Sequence, residues 1–88
     1  MLRIRKSEDG KEVVFTLSGQ MDEEAIAELQ SVISAEESGR RIALDLKDLT
    51  LVNEDGIIFL ERCESNGITL EHCPPYIREW ITRQRRGN

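Results

Sequence analysis

Residues 42–70 read IALDLKDLTLVNEDGIIFLERCESNGITL and hold a strand, a helix and a second strand in succession. The apolar run 42–46 is typical of a buried strand, and a loop over 47–52 is expected to follow it. Asn53 is a good N-cap for a helix to about Ser65, because its side chain can accept a hydrogen bond from a free backbone N–H. Residues 68–70 then predict another strand. Such a unit indicates two parallel strands joined by a crossover helix.

The segment before this unit predicts a hairpin and a helix. Residues 2–5 and 13–17 show strand patterns, and the dipeptide at 9–10, Asp-Gly, is a strong hairpin-turn signal. Asp22 predicts the N-cap of the first helix, and Gly39 is expected to end that helix.

After the unit, Pro74-Pro75 predicts the start of a last helix, since proline suits the first helical position. The order is therefore hairpin, helix, strand, helix, strand, helix, which predicts one α/β domain over 1–88 with a partly parallel sheet. The apolar stripes of the three helices predict their core positions: Ile26, Leu29, Val32 and Ile33; Ile57, Leu60 and Cys63; Ile77, Trp80 and Ile81.

Composition narrows the class of protein. The 88 residues carry a net charge of −5, which disfavours nucleic acid because phosphates are repelled over most of the surface. The exception is the stretch 72–88, where four arginines stand against one glutamate; arginine there suits a helix C-terminus. No apolar run is long enough to span a bilayer, and the first residues lack a signal-peptide pattern, so we expect a cytoplasmic protein without membrane insertion.

Catalytic patterns are scarce in the sequence. His72 is the only histidine, and neither a phosphate-binding glycine loop nor a nucleophile–base motif is present, so we expect no enzyme and no cofactor. Cys63 and Cys73 are expected to be reduced and buried rather than bridged, and no metal site is expected because structural zinc takes four N or S ligands.

An ordered set of motifs resembles the STAS domain, named for sulphate transporters and anti-sigma factor antagonists. The set is Leu-x-Gly at 17–19, apolar-Leu-Asp-Leu at 43–46, a capped helix start with glycine at its fourth position (53–56), and Gly-Ile-x-Leu at 67–70. The resemblance covers nearly the whole chain. It implies a mixed β-sheet with helices mainly on one face.

The resemblance also implies a phosphorylation switch, which this sequence lacks. In the family the second helix opens with Asp-Ser-Ser/Thr-Gly, and a partner kinase phosphorylates the hydroxyl residue. Here Asn53 replaces the aspartate, Glu54 takes the phosphorylatable position, Asp55 follows, and Gly56 matches. Because neither acid has a hydroxyl, the switch cannot operate at this site. Glu54 either complements the helix dipole or imitates the phosphorylated form permanently. Thr50 is a nearby alternative for modification.

The function that follows is a bacterial regulatory module that binds a protein, such as an anti-sigma factor or a kinase-like regulator. We expect the contact surface to comprise Leu51, Asn53, Glu54, Asp55, Gly56 and Ile58. Two alternatives stay open: the small STAS-type subunit of an ABC lipid-transport complex, whose partner is a transporter subunit, and a domain that binds a small ligand such as a nucleotide. The oligomeric state cannot be derived from the sequence.

Overall fold

The computed structural model describes residues 2–8, 10–36 and 39–87. Within these ranges the chain forms four strands and three helices, in the order β1 (Leu2–Glu8), β2 (Glu12–Met21), α1 (Glu23–Ser34), β3 (Arg41–Val52), α2 (Glu54–Ser65), β4 (Thr69–Glu71) and α3 (Pro75–Arg86). This is the predicted order of elements. Asp9 of the predicted hairpin turn lies outside the described residues.

The four strands form one mixed sheet in the order β1-β2-β3-β4. β1 pairs with β2 antiparallel, as the hairpin pattern predicts, whereas β2–β3 and β3–β4 are parallel pairs. The parallel pairs are the two that contain a crossover helix, so the α/β prediction is confirmed.

The core lies between the helices and one face of the sheet. Val13, Phe15 and Leu17 alternate along β2 and are fully buried in the same apolar cluster as Leu44 and Leu46 of β3. Successive strand residues point to opposite faces, so the positions between them lie on the face away from the helices. The helices contribute Ala25, Leu29, Ile57, Phe59, Leu60, Cys63, Ile77 and Ile81 to this cluster.

The expected loop over 47–52 is wrong, because β3 continues to Val52. Two register shifts against β2 let the strand continue: β3 has one residue more than β2 between Asp45 and Asp48, and another between Leu49 and Leu51. Each extra residue is a β-bulge, which shifts the inside–outside alternation by one position. Leu49 and Val52 therefore both reach the core although they are three positions apart, an odd number.

The first helix is shorter than predicted and ends at Ser34 rather than near Gly39. Beyond the cap residue Ala35, the carboxylate of Glu36 lies 2.9 Å from the ammonium group of Lys6 in β1 and 3.6 Å from the Arg40 guanidinium. These ion pairs hold Glu36 close to β1, so the segment after Ala35 turns away from the axis of α1. Gly39 instead adopts a φ of +76°, the left-handed region that suits glycine, just before β3.

Three further sequence expectations differ slightly from the structure. The last strand is displaced by one residue, to Thr69–Glu71. Cys63 is buried as expected, but Cys73 is only half-buried, because it lies in the connection after β4 rather than at the end of the strand. Trp80 is also half-buried and packs against the outside of the core.

Candidate functional site

Asn53 caps the N-terminus of α2 in the predicted manner. Its extended backbone (φ −91°, ψ 179°) allows Oδ1 to accept a 2.8 Å hydrogen bond from the N–H of Gly56. The first turn then carries the carboxylates of Glu54 and Asp55, both exposed, where the positive end of the helix dipole stabilises negative charge.

Gly56 is buried because α2 begins directly on the ends of β2 and β3. A Cβ atom at this position would lie 2.7 Å from Cγ1 of Val52 and 3.1 Å from Sδ of Met21. Real Cβ atoms essentially never approach another heavy atom to 2.7 Å. Glycine is therefore required by the close approach of the helix start to β3, and it contributes no side chain to a partner surface.

Leu51 is an apolar side chain directed to solvent. It is 58% exposed, whereas its neighbours Leu49 and Val52 belong to the core. Leu51 lies close in sequence to the capped helix start, and the exposed residues in this stretch are Leu51, Asn53, Glu54 and Asp55. We call these four residues the α2 N-terminal surface.

An apolar groove of about 550 Å³ lies between α1 and α2, next to this surface. Its apolar lining comes from Ile26, Ile33, Ile58, Phe59, Cys63 and Ile68. Asp55 of the α2 N-terminal surface also lines it, so the acidic helix start leads directly into the α1–α2 groove. Sequence periodicity had assigned Ile26 and Ile33 to the core, but both are half-buried at the groove.

Five of the six predicted contact residues are at least partly accessible in the structure. Leu51, Asn53, Glu54 and Asp55 are exposed, and half-buried Ile58 lines the groove. Gly56 is the residue that the structure withdraws from contact, since it is buried. The signal that could have revealed the groove is the pair of isoleucines in α1, which occupy the same helix face as Leu29 without being needed to fill the core.

The hydroxyl of Thr50, the alternative modification site, already has a partner. Thr50 is exposed, and its Oγ1 donates a 2.9 Å hydrogen bond to the backbone carbonyl of Gly19 across the β2–β3 pair. This bond fixes Thr50 at the second bulge of β3, so a structural role accounts for a hydroxyl at this position.

The two thiols lie in different environments. Burial raises the pKa of Cys63 to about 11, so its reactive thiolate form is rare near neutral pH. Burial also raises the pKa of Cys73, while the nearby Arg78 guanidinium opposes that change. Neither environment resembles the electropositive setting that activates a cysteine nucleophile.

Helices long and apolar enough to cross a membrane are absent from the part of the chain that the structure describes.

Comparison with known proteins reveals likeness in fold but not in sequence. No family model and no curated protein matches the chain. The anti-sigma factor antagonist SpoIIAA in its unphosphorylated form aligns with a TM-score of 0.72 and 19% identity, over 92% of this chain and 83% of that one. An anti-sigma factor antagonist STAS domain from Rhodobacter sphaeroides aligns with a TM-score of 0.57 and 13% identity, over 81% of this chain and 86% of that one.

Two further structures share the fold. A DUF3478-family protein with a SpoIIAA-like fold from Shewanella loihica aligns with a TM-score of 0.58 and 13% identity, over 98% of this chain and 78% of that one. A crystal structure of Mglu aligns with a TM-score of 0.65 and 17% identity, over 81% of this chain, but this chain spans only 19% of the length of Mglu. The chain therefore has a STAS-like fold.

Proposed function

We propose that this chain, a STAS-like domain by its fold, is a cytoplasmic regulatory module that binds a protein partner through the α2 N-terminal surface and the α1–α2 groove. The partner class is an anti-sigma factor or a kinase-like regulator. Acidic residues stand where the family has its phosphorylated residue, so binding is not controlled by phosphorylation of the α2 start.

The observation that carries the proposal is the meeting of an exposed acidic segment with an apolar groove. Interfaces combine apolar anchors at their centre with polar groups at the rim. Leu51 and Ile58 supply accessible apolar contact, while Glu54 and Asp55 supply charge beside it. This arrangement favours a partner that inserts apolar side chains into the groove and places basic residues against the start of α2.

Glu54 supports the proposal because its carboxylate is exposed and has no ion-pair partner among the described residues. Its carboxylate makes no hydrogen bond or ion pair with residues 2–8, 10–36 or 39–87. An exposed carboxylate in this position is available to a basic group of the partner. It brings one negative charge, against about −1.5 to −2 for a phosphate group.

The test begins with identification of the partner by photo-crosslinking. A photoreactive residue at position 51 is compared with one at Tyr76, the other large apolar side chain that the described residues expose. We expect a specific crosslinked protein from position 51 and none from position 76. The purified partner is then titrated against wild type, Leu51→Ala and Tyr76→Ala by calorimetry.

We expect Leu51→Ala to weaken binding by about 5- to 30-fold, since truncated apolar anchors typically cost about 1–2 kcal/mol. Tyr76→Ala should remain within about twofold of wild type. If Tyr76→Ala is the damaging variant, the contact surface lies on α3 and the proposal is wrong. A transporter permease as the crosslinked protein would assign the chain to the lipid-transport alternative.

One observation favours the small-ligand alternative, which the same protein can test. The groove volume of about 550 Å³ falls within the range of small-molecule sites, about 300–1,000 Å³. Its lining offers Arg62 as a single cation for a phosphate group, which is a poor match for a nucleotide. A thermal shift with nucleotides that disappears in Arg62→Ala would support that alternative.

A further inference from the structure

The sheet face away from the helices carries a row of polar side chains. The strand register places Arg5 beside Thr16, Thr16 beside Asp45, and Asp45 beside Glu71. The two acidic members of this row lie on adjacent strands, β3 and β4. Strand pairing therefore brings two negative charges together, with residues 45 and 71 distant in sequence.

Asp45 is the buried charged residue among those that the structure describes, with 7% of its surface exposed. Its Oδ1 accepts a 3.1 Å hydrogen bond from the backbone N–H of Lys47 and lies 3.2 Å from Nδ1 of His72. No hydrogen bond or ion pair from the described residues reaches its Oδ2. The side chain of Asp45 is 11% exposed, so solvent reaches this oxygen, and it is available to bind another group.

Glu71 and His72 complete a compact group around Asp45. One carboxylate oxygen of Asp45, one of Glu71 and one ring nitrogen of His72 all lie within 4.8 Å of one another. The carboxylate of Glu71 also has no hydrogen bond or ion pair with the described part of the chain. His72 carries a charge only when protonated, and no lysine or arginine of the described residues forms an ion pair with either acid.

We propose that Asp45, Glu71 and His72 bind one divalent transition-metal ion, with water completing its coordination. Zinc binds histidine nitrogen and carboxylate oxygen at about 2.0–2.2 Å, so the ligand atoms around it lie roughly 3–3.5 Å apart. The three ligand atoms already lie within 4.8 Å of one another, so they need to approach by at most about 1–2 Å to reach this spacing. The ion offsets the repulsion between the carboxylates of Asp45 and Glu71.

The ligand chemistry selects the class of metal. One imidazole and two carboxylates suit Zn²⁺, Co²⁺ or Mn²⁺, whereas Mg²⁺ and Ca²⁺ prefer oxygen ligands alone. The ligands come from β3, from β4 and from the residue after β4, so the bound ion links the three-residue strand β4 to the centre of the sheet. Sequence reasoning missed this group because its members meet only through the β3–β4 register.

The experiment is titration of the full chain with Zn²⁺ by calorimetry. Because His72 is the only histidine, its imidazole NMR signals report directly on its own metal binding. We expect one ion per chain, a shift of the His72 signals at saturation, and a melting temperature higher by about 5–10 °C at ten times the dissociation constant.

Matched variants test the ligands. Glu71→Gln keeps the shape of the side chain, and His72→Asn keeps a residue that tolerates the observed φ of 52°. Each should weaken Zn²⁺ binding at least about tenfold, since each removes one of three protein ligands. The control Asp48→Asn removes an exposed carboxylate from the same strand and should bind as wild type does. Circular dichroism checks that every variant is folded.

Three outcomes overturn the proposal: no saturable binding below about 1 mM Zn²⁺, equal affinity in wild type and both ligand variants, or a thiolate charge-transfer band in the Co²⁺ complex. The band would place the ion on Cys73 instead. The cluster lies on the sheet face opposite the helices, so these variants leave the α2 N-terminal surface unchanged. The result is therefore independent of the proposed protein-binding function.

Discussion

The Arg78 guanidinium in α3 binds both carboxylate oxygens of Glu64 in α2, with each nitrogen 2.9 Å from one oxygen. Arg85, two turns further along α3, donates a third bond of 2.9 Å to the same carboxylate. The apolar contacts of Ile77 and Ile81 bury the inner face of α3. Two of the four arginines in the basic C-terminal stretch are thus occupied in fixing α3 to α2.

We expect Glu64→Gln to destabilise the fold by about 1 kcal/mol at neutral pH, because the pair is bidentate but partly exposed. The Arg78 hydrogen bonds hold the pKa of Glu64 below its ordinary 4.5, Arg85 adds to this, and desolvation opposes it. A lowered folded-state pKa contributes stability above the unfolded value and loses it as pH falls through the folded value. The difference between wild type and variant should therefore shrink below pH 4.5.

Urea unfolding at about pH 7 and about pH 3 measures this difference. Glu79→Gln is the matched control, since Glu79 is an exposed acid on α3 without an ion pair among the described residues. A Glu64→Gln penalty that stays constant across this pH range would mean that packing, and not the ion pair, links the two helices.

The second prediction concerns the close contact below the start of α2. Gly56→Ala should destabilise the fold by about 1–2 kcal/mol, because its Cβ meets the stiff, buried side chain of Val52 at 2.7 Å. The better helix propensity of alanine offsets part of that penalty. Gly10→Ala is the control, since a Cβ there has no neighbour within 4 Å.

Chemical denaturation of wild type, Gly56→Ala, Val52→Ala and the double variant checks the cause. Removing Cγ1 of Val52 should relieve the clash, so Gly56→Ala should cost less in the Val52→Ala background than alone. Additive penalties in the double variant would contradict a direct contact between residues 52 and 56.

The strands and helices of this chain follow from periodicity, but the features that depend on pairing do not. The apolar run 42–46 and the cap at Asn53 are local signals, and both are confirmed. Lys47, Asp48 and Thr50 resemble a loop because two bulges interrupt the alternation, and a bulge is defined only against its partner strand.

The candidate site, like the fold, was predictable only where it depends on residues close together in sequence. The members of the α2 N-terminal surface all lie within the short stretch 51–55, so they could be named from the residues alone. Ile26 and Ile33 mark an apolar face of α1, but periodicity does not give the distance between α1 and α2, so the groove itself follows only from the structure. The meeting of Asp45 with Glu71 likewise requires the β3–β4 register.

The third prediction separates the two thiols. In native protein we expect Cys73 to react with a small alkylating agent before Cys63, because Cys73 is half-buried whereas Cys63 is buried with a pKa near 11. Mass spectrometry of Cys63→Ala and Cys73→Ser, each with a single thiol, measures the two rates. Both thiols should react rapidly in denaturant. Equal native rates would show that the α2 face around Cys63 opens readily.

The last prediction separates the two roles considered for Glu54. If its carboxylate only complements the helix dipole, Glu54→Gln lowers stability by at most about 1 kcal/mol and leaves partner affinity unchanged. We expect instead that Glu54→Gln changes partner affinity. Since Glu54 is exposed and makes no bond with the described residues, the proposed function places its charge against the partner, and its loss should then alter affinity by roughly 5- to 150-fold.

Titration calorimetry of the crosslinked partner with wild type, Glu54→Gln and Glu54→Ser measures the effect. Glutamine keeps the shape and deletes the charge, while serine restores the hydroxyl of the family motif. Glu24→Gln is the matched control, because Glu24 is also an exposed acid in the first turn of a helix, α1. The charge effect should weaken as salt rises, since exposed charges are screened. If all four proteins bind alike, Glu54 does not imitate a phosphate and acts only on the helix.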